Sequence, residues 1–261
     1  MLILRIPFFW LLALALAAHA AALAALYIRP RGKTALGLMG LGLAAGLLAA
    51  AHRYLAACPM LPMHLAPTLS AALLSLFALV RTARFRKREP EPPELDALRI
   101  ALVMLALCLA ACLLFPKHFY LPFLRSDSPF AHLMLWAGAC GRACFVFGAA
   151  WSLVFFRADE ARRGPCLKRS LAWMIWGFAL WTLAMFSGEL WSYLGWGTAV
   201  VWEDPALLLT MAAWFLAAAV LHLHFSRNIG MRLRAACAAG CGMGILILGL
   251  LADFGPFRPL W

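Results

Sequence analysis

The side chains best equipped for chemistry in this sequence are indoles and imidazoles. From Gly188 to Pro205 the chain reads GELWSYLGWGTAVVWEDP, with Trp191, Trp196 and Trp202 in a stretch that has no Lys or Arg. Indole faces stack on planar ligands, and an imidazole nearby can ligate a metal. The competing reading of such tryptophans is an interfacial belt at a membrane surface. Seven histidines are spread along the chain: His19, His52, His64, His118, His132, His222 and His224. Cysteines pair at a spacing of four, as Cys108/Cys112, Cys140/Cys144 and Cys237/Cys241. That spacing puts both sulfurs on one helix face with parallel Cβ directions, which disfavours a bridge within the helix. Metal and redox pairs usually have two intervening residues. These cysteines therefore read as small residues at close helix contacts, with a transmembrane thiol relay as the alternative. No hydrolytic triad, paired carboxylate or phosphate-cradling glycine loop can be argued.

The elements that must position these groups follow from composition. Of 261 residues, 65% are hydrophobic and 13% charged, and the mean hydropathy is +0.86. An ordinary soluble domain is about half apolar and a quarter charged, so a soluble globule is excluded. Eight apolar segments suffice for spans of roughly 20 residues: Ile6 to Ile28, Ala35 to Ala51, Pro62 to Val80, Ala97 to Phe115, Phe130 to Phe156, Ser170 to Leu190, Ala206 to Phe225 and Ala235 to Ala252. Because lipid offers no hydrogen bonds, each must be helical. The expected fold is an all-α polytopic membrane protein of about eight transmembrane helices, residues 1–261 forming one domain. The first block reads as a retained anchor rather than a cleaved signal, since its apolar run continues to Ile28. Residues 83–96, including the proline-rich charged stretch RKREPEPPELD, are expected to be a solvated cytoplasmic linker.

A net charge of +12 suggests a nucleic-acid surface until the charges are placed. Arg29, Arg31 and Lys33 follow the first block, Arg81, Arg84, Arg86, Lys87, Arg88 and Arg99 border the next long connection, and Arg157, Arg162, Arg163, Lys168 and Arg169 follow the fifth. Arg227, Arg232 and Arg234 follow the seventh, whereas the opposite connections and termini hold only Arg5, Arg53, Lys117, Arg125 and Arg258, and Arg142 lies inside a span. Cations are retained on the cytoplasmic side during insertion. Both termini and the Trp-rich segment 188–205 are thus expected on the outer, periplasmic face of a bacterial inner membrane, and no nucleic acid is expected as partner.

The Trp-rich string resembles the WWD signature of the cytochrome c assembly family, the CcsA/ResC-type haem-handling membrane proteins. Trp191, Trp196, Gly197 and Trp202 fall at the family spacing. With Glu203 as one inserted residue, Asp204-Pro205 match its Asp-Pro pair, Trp214 a further Trp, and Leu221-His222 its Leu-His. Val200 stands at the middle Trp position, and Leu207 and Leu209 replace acidic and aromatic residues. The stretch from Pro122 through Leu124 and Ser126 to His132 is similar to the family's P-x-L-x-S segment, and Arg53-Tyr54 sits where relatives carry Arg-Trp. Family members end in a segment with a second outward histidine, while this sequence closes on FGPFRPLW.

The resemblance implies haem b as cargo and cofactor. His132 would bind its iron on the outer face beside Trp191, Trp196 and Trp202, with His64 or His118 standing in for the second outward histidine and His52 and His19 as further candidates. His222 would bind iron toward the cytoplasm together with a CcsB/ResB-like membrane subunit. The alternative for His222 and His224 is that they snorkel toward headgroups. The implied function is presentation of haem to apocytochrome c, as a possible component of a haem lyase. Two rivals stand beside it: a haem-binding or regulatory protein of the same fold, and a thiol-electron or small-solute transporter.

Overall fold

A computed structural model describes residues 5–29, 33–57, 60–62, 65–85, 90–115, 120–125, 128–200, 202, 205–226 and 228–251. The described residues form eight helices: α1 (Arg5–Ile28), α2 (Lys33–Ala57), α3 (Leu65–Phe85), α4 (Pro92–Leu114), α5 (Pro129–Phe155), α6 (Glu160–Trp196), α7 (Pro205–Leu223) and α8 (Met231–Leu251). Seven of them are long and apolar enough to cross a membrane. In α7 the apolar stretch is the shorter Leu208–Leu223. The protein is an all-α, multi-pass membrane protein. Two short strands, β1 (Met60–Pro62) and β2 (Tyr120–Arg125), pair antiparallel. This ribbon brings the α2–α3 and α4–α5 connections together.

Three boundaries differ from the sequence expectation. Residues 83–85 belong to α3, and α4 begins at Pro92 with Pro93 and Glu94 buried, so the linker 83–96 contracts to the residues between Phe85 and Pro92. The reason is positional: proline is well tolerated in the first helical turn, where its missing N–H has no partner to lose. At the next hairpin, α6 begins at Glu160, with Pro165 inside it. At its other end α6 runs on to Trp196, so the first half of the 188–205 segment is helix rather than connection. The stop comes at Gly197, whose φ of 74° puts it in the left-handed conformation that glycine adopts without a Cβ clash. The 37 residues of α6 extend about 55 Å, against a bilayer core of about 30 Å, so this helix outruns the membrane.

The chain divides into two compact units, one holding α1–α4 and the strand pair, the other α5–α8. In the first, α1 packs on α2 and α4, and α3 packs on the same two. A buried histidine fastens this group. His19 on α1 is 2% exposed, its Nδ1 lies 2.6 Å from the Ala15 carbonyl, and its Nε2 lies 2.6 Å from Ser75 Oγ on α3. Gly42 of α2 lies against the ring, where a Cβ would collide with it.

In the second unit α5 and α6 form a glycine-lined antiparallel hairpin. A Cβ added at Gly138 would be 3.6 Å from Ala184 Cβ, one at Gly141 3.1 Å from the Gly177 carbonyl, and one at Gly188 2.8 Å from Met134 Sδ. Small residues let backbones approach in lipid, where packing rather than hydrophobic burial drives helix association. Ser170 Oγ donates to the Gly148 carbonyl at 2.8 Å and lies 2.7 Å from Ser152 Oγ, adding a polar fastening. Behind this seam Phe145, Met174, Trp181, Ala213, Ala217, Val220, Ala238, Cys241 and Ile245 form the core.

Candidate functional site

The candidate site is the end of the second unit at which α5 starts and α6 stops. Ser128 opens α5, accepting a hydrogen bond from Phe130 N at 3.3 Å, with Pro129 in the first turn. His132 follows one turn later, partly buried. The hairpin register that pairs Met134 with Gly188 and Gly138 with Ala184 sets His132 level with Leu190 and Trp191. At 100° per residue, however, His132 lies on the far side of α5 from the Met134, Gly138, Gly141 and Gly148 stripe that faces α6. Imidazole and indoles thus share a level but leave their helices in different directions.

On α6, Trp191 and Trp196 meet edge to face, ring centroids 5.8 Å apart at 65°. Between them, Ser192 is buried and its Oγ donates to the Thr198 carbonyl at 2.8 Å, folding the chain back over the helix end just past Gly197. Thr198 Oγ1 continues this to the Val200 carbonyl at 3.1 Å. Trp196 is 51% exposed and Trp202 66% exposed, so both present indole surface outward. Asp204 lies outside the described residues, as do His64 and His118. His52, on α2 in the first unit, is partly buried.

Trp214 is not part of this aromatic end. Its Nε1 donates to Thr182 Oγ1 at 2.9 Å and its ring lies 5.3 Å from Phe178, while Trp181 Nε1 donates to the Thr210 carbonyl at 3.2 Å. These bonds tie α6 to α7 and set Trp214 more than 20 Å along the α6 axis from Trp196, at about 1.5 Å per residue. The same register puts His222 near the level of Ser170, about 39 Å from the Trp196 level, at the opposite end of the unit. There its ring is exposed, with Nδ1 2.8 Å from the Ala218 carbonyl. His132 and His222 therefore stand at opposite ends of the second unit.

Cations collect at the His222 end. Arg169 lies over the Trp151 ring at 4.8 Å and Arg163 over Phe155 at 5.9 Å. Arg142, in mid-α5, lies 5.4 Å from the Trp181 ring centroid, and Gly249 leaves room for its side chain. Ser192, which locks the aromatic end, was not singled out by the sequence; its spacing of four from Gly188 on the hairpin-facing side of α6 was the available signal. Among the described residues, no disulfide joins two cysteines. Cys241 sits in the core with Phe145 and Met174, which suits the small-residue reading. Among the described residues, no three His, Cys, Asp or Glu side chains converge as a metal cluster.

The fold and site define a multi-pass helical membrane protein with an aromatic end and a basic end. Over 89 residues the chain is 36% identical to the cytochrome c biogenesis protein CcsA of Prochlorococcus marinus strain MIT 9303, and equally to that of strain MIT 9313. Each match covers 31% of this chain and 28% of the relative, so the similarity spans under a third of the length of the curated relatives. No family model matches, and no solved structure matches.

Proposed function

We propose that this chain is a haem-handling subunit of c-type cytochrome biogenesis, which presents haem at the outer face of the bacterial inner membrane for attachment to apocytochrome c. Residues 1–261 act as one assembly domain of the CcsA type, with both termini periplasmic. The observation that carries the reading is the Trp191–Trp196 pair at the glycine-capped end of α6, level with the first turns of α5 where His132 stands. Partial similarity to CcsA supports it.

Haem is a flat, mostly apolar macrocycle with iron at its centre and two carboxylates at one edge, and it calls for aromatic faces plus an imidazole. Since His132 and the indoles leave their helices in different directions, a bound macrocycle would meet the indoles and the imidazole at the end of the α5–α6 hairpin rather than between the two helices. Trp196 and Trp202 supply exposed faces, and Trp191 braces Trp196. His132 supplies the iron ligand. His222, at the opposite end, belongs to an entry position completed by a CcsB/ResB-like subunit. The work of the chain is positioning: it holds the vinyl edge where C-x-x-C-H thiols of an apocytochrome can reach it, and no side-chain nucleophile is required.

Purification in detergent tests this. The protein is expected to carry a Soret band that shifts or weakens in His132→Gly and recovers with added imidazole. Haem-free protein, unable to take up added haem, would overturn the reading.

A further inference from the structure

The basic end of the second unit carries a surface that plays no part in holding haem. On α6, Arg162, Arg169, Trp176 and Leu183 recur at a constant interval of seven residues. Seven residues of α-helix fall only about 20° short of two full turns, so these four side chains form one stripe along the helix. Arg162, Trp176 and Leu183 are exposed and Arg169 is half-buried, with Ala179 and Phe186 exposed beside the lower part of the stripe.

The order of the stripe has chemical content: two cations, then an indole, then apolar side chains. A phospholipid presents the complementary order, from an anionic phosphate through the interfacial layer that indoles favour to its acyl tails. The length agrees as well. From Arg169 to Leu183 the helix rises about 21 Å, close to half of a whole bilayer of about 40–45 Å.

One of the two cations is held in place. The Arg169 guanidinium lies 4.8 Å from the centroid of the Trp151 ring, and Trp151 is itself buried on α5. At the same level the Ser170 hydroxyl donates to the Gly148 carbonyl and meets Ser152, which fixes the backbone of α6 against α5. An arginine already ordered in this way loses less side-chain entropy when it grips an anion. The acidic residues nearest in the chain, Asp159 and Glu160, stand at the start of α6. Glu160 is two residues from Arg162, a spacing that turns the two side chains away from each other, and about 13 Å of helix separates it from Arg169.

We propose that this stripe of α6 binds one anionic phospholipid of the leaflet at the basic end. Arg162 and Arg169, about 10 Å apart along the axis, bracket its phosphate from either side, Trp176 packs at its ester layer, and Ala179, Leu183 and Phe186 line the path of a tail.

The test is a titration of the purified full chain in detergent with short-chain phosphatidylglycerol, with phosphatidylcholine of the same chains, and with inorganic phosphate as competitor, bound lipid being counted by native mass spectrometry. A cation near the headgroups contributes roughly 5-fold in affinity. Phosphatidylglycerol is therefore expected to bind as a single molecule roughly 25-fold more tightly than phosphatidylcholine, and inorganic phosphate is expected not to displace it. Arg162→Gln, at an exposed position that leaves the Arg169–Trp151 contact intact, is expected to weaken phosphatidylglycerol roughly 5-fold, and the double variant with Arg169→Gln to bring it to the level of phosphatidylcholine. Trp176→Ala is expected to weaken both lipids alike. Arg232→Gln, which removes an exposed cation of α8 at the same end but off the stripe, is expected to change nothing. Equal affinity for the two lipids would overturn the proposal, as would a loss in Arg232→Gln equal to that in Arg162→Gln, which would mean diffuse attraction to the basic end. Displacement by inorganic phosphate would also overturn it, because the site would then recognise the free anion and not a lipid.

Discussion

Two histidines, one in each unit, show how the same side chain serves opposite ends. His19, between α1 and α3, has both ring nitrogens engaged within the protein, by Ala15 and Ser75. His224, at the end of α7, has one engaged and the other buried with no partner among the described residues. A saturated imidazole is a fastener, because ligating a metal would first require breaking a good hydrogen bond. A half-satisfied one fastens through a single bond. In the sequence the two look alike, each a single polar residue against apolar neighbours, and only the partner of the second nitrogen separates them.

The contrast can be broken most forcefully at His19. His19→Ala removes two buried hydrogen bonds, strands the Ser75 hydroxyl and opens a cavity beside Gly42. It is expected to cost about 2–4 kcal/mol, read as a lowered unfolding midpoint in detergent, with the haem spectrum of the surviving folded protein unchanged. A changed spectrum would make His19 a ligand and erase the distinction.

A second, smaller effect tests how closely α8 approaches α5 within the second unit. A Cβ at Gly242 of α8 would lie 2.7 Å from Ala149 Cβ on α5, whereas one at Gly240 meets nothing within 4 Å. Gly242→Leu is expected to lose about 1–3 kcal/mol through overpacking, and Gly240→Leu to leave the midpoint unchanged. Equal behaviour of the two variants would refute the close α5–α8 seam. The smallest expected effect is at the aromatic end. Ser192→Ala removes the bond to the Thr198 carbonyl and is expected to cost about 0.5–1.5 kcal/mol, while loosening the indoles enough to broaden the Soret band.

Much of this architecture was legible beforehand because lipid permits so few solutions. An apolar run of sufficient length must be a helix, so all eight helices were expected, and seven meet the length and apolarity of a span. Their ends were less legible. Residues 157–169 are rich in cations and the tryptophans from 188 onward lie past the apolar run, yet α6 includes most of both, because a helix satisfies its own backbone hydrogen bonds in or out of lipid. The paired indoles of the aromatic end were legible as a string, since Trp191 and Trp196 lie on one continuous helix. Trp214 was not, because a motif aligned in sequence carries no information about position along the helices, and its Nε1 donates to Thr182 midway along α6. His132 stands level with Trp191, but the face it leaves from depends on the Gly138–Gly141–Gly148 seam, which fixes the rotation of α5.

The central claim is that the aromatic end of α6 holds haem for transfer. Its most direct measurement is covalent haem staining of a C-x-x-C-H apocytochrome co-expressed with this chain and a CcsB-like partner, comparing the unmutated chain with Trp196→Ala. The account predicts stained product with the former and none with the latter at equal membrane levels of both chains. Undiminished staining with Trp196→Ala would contradict it.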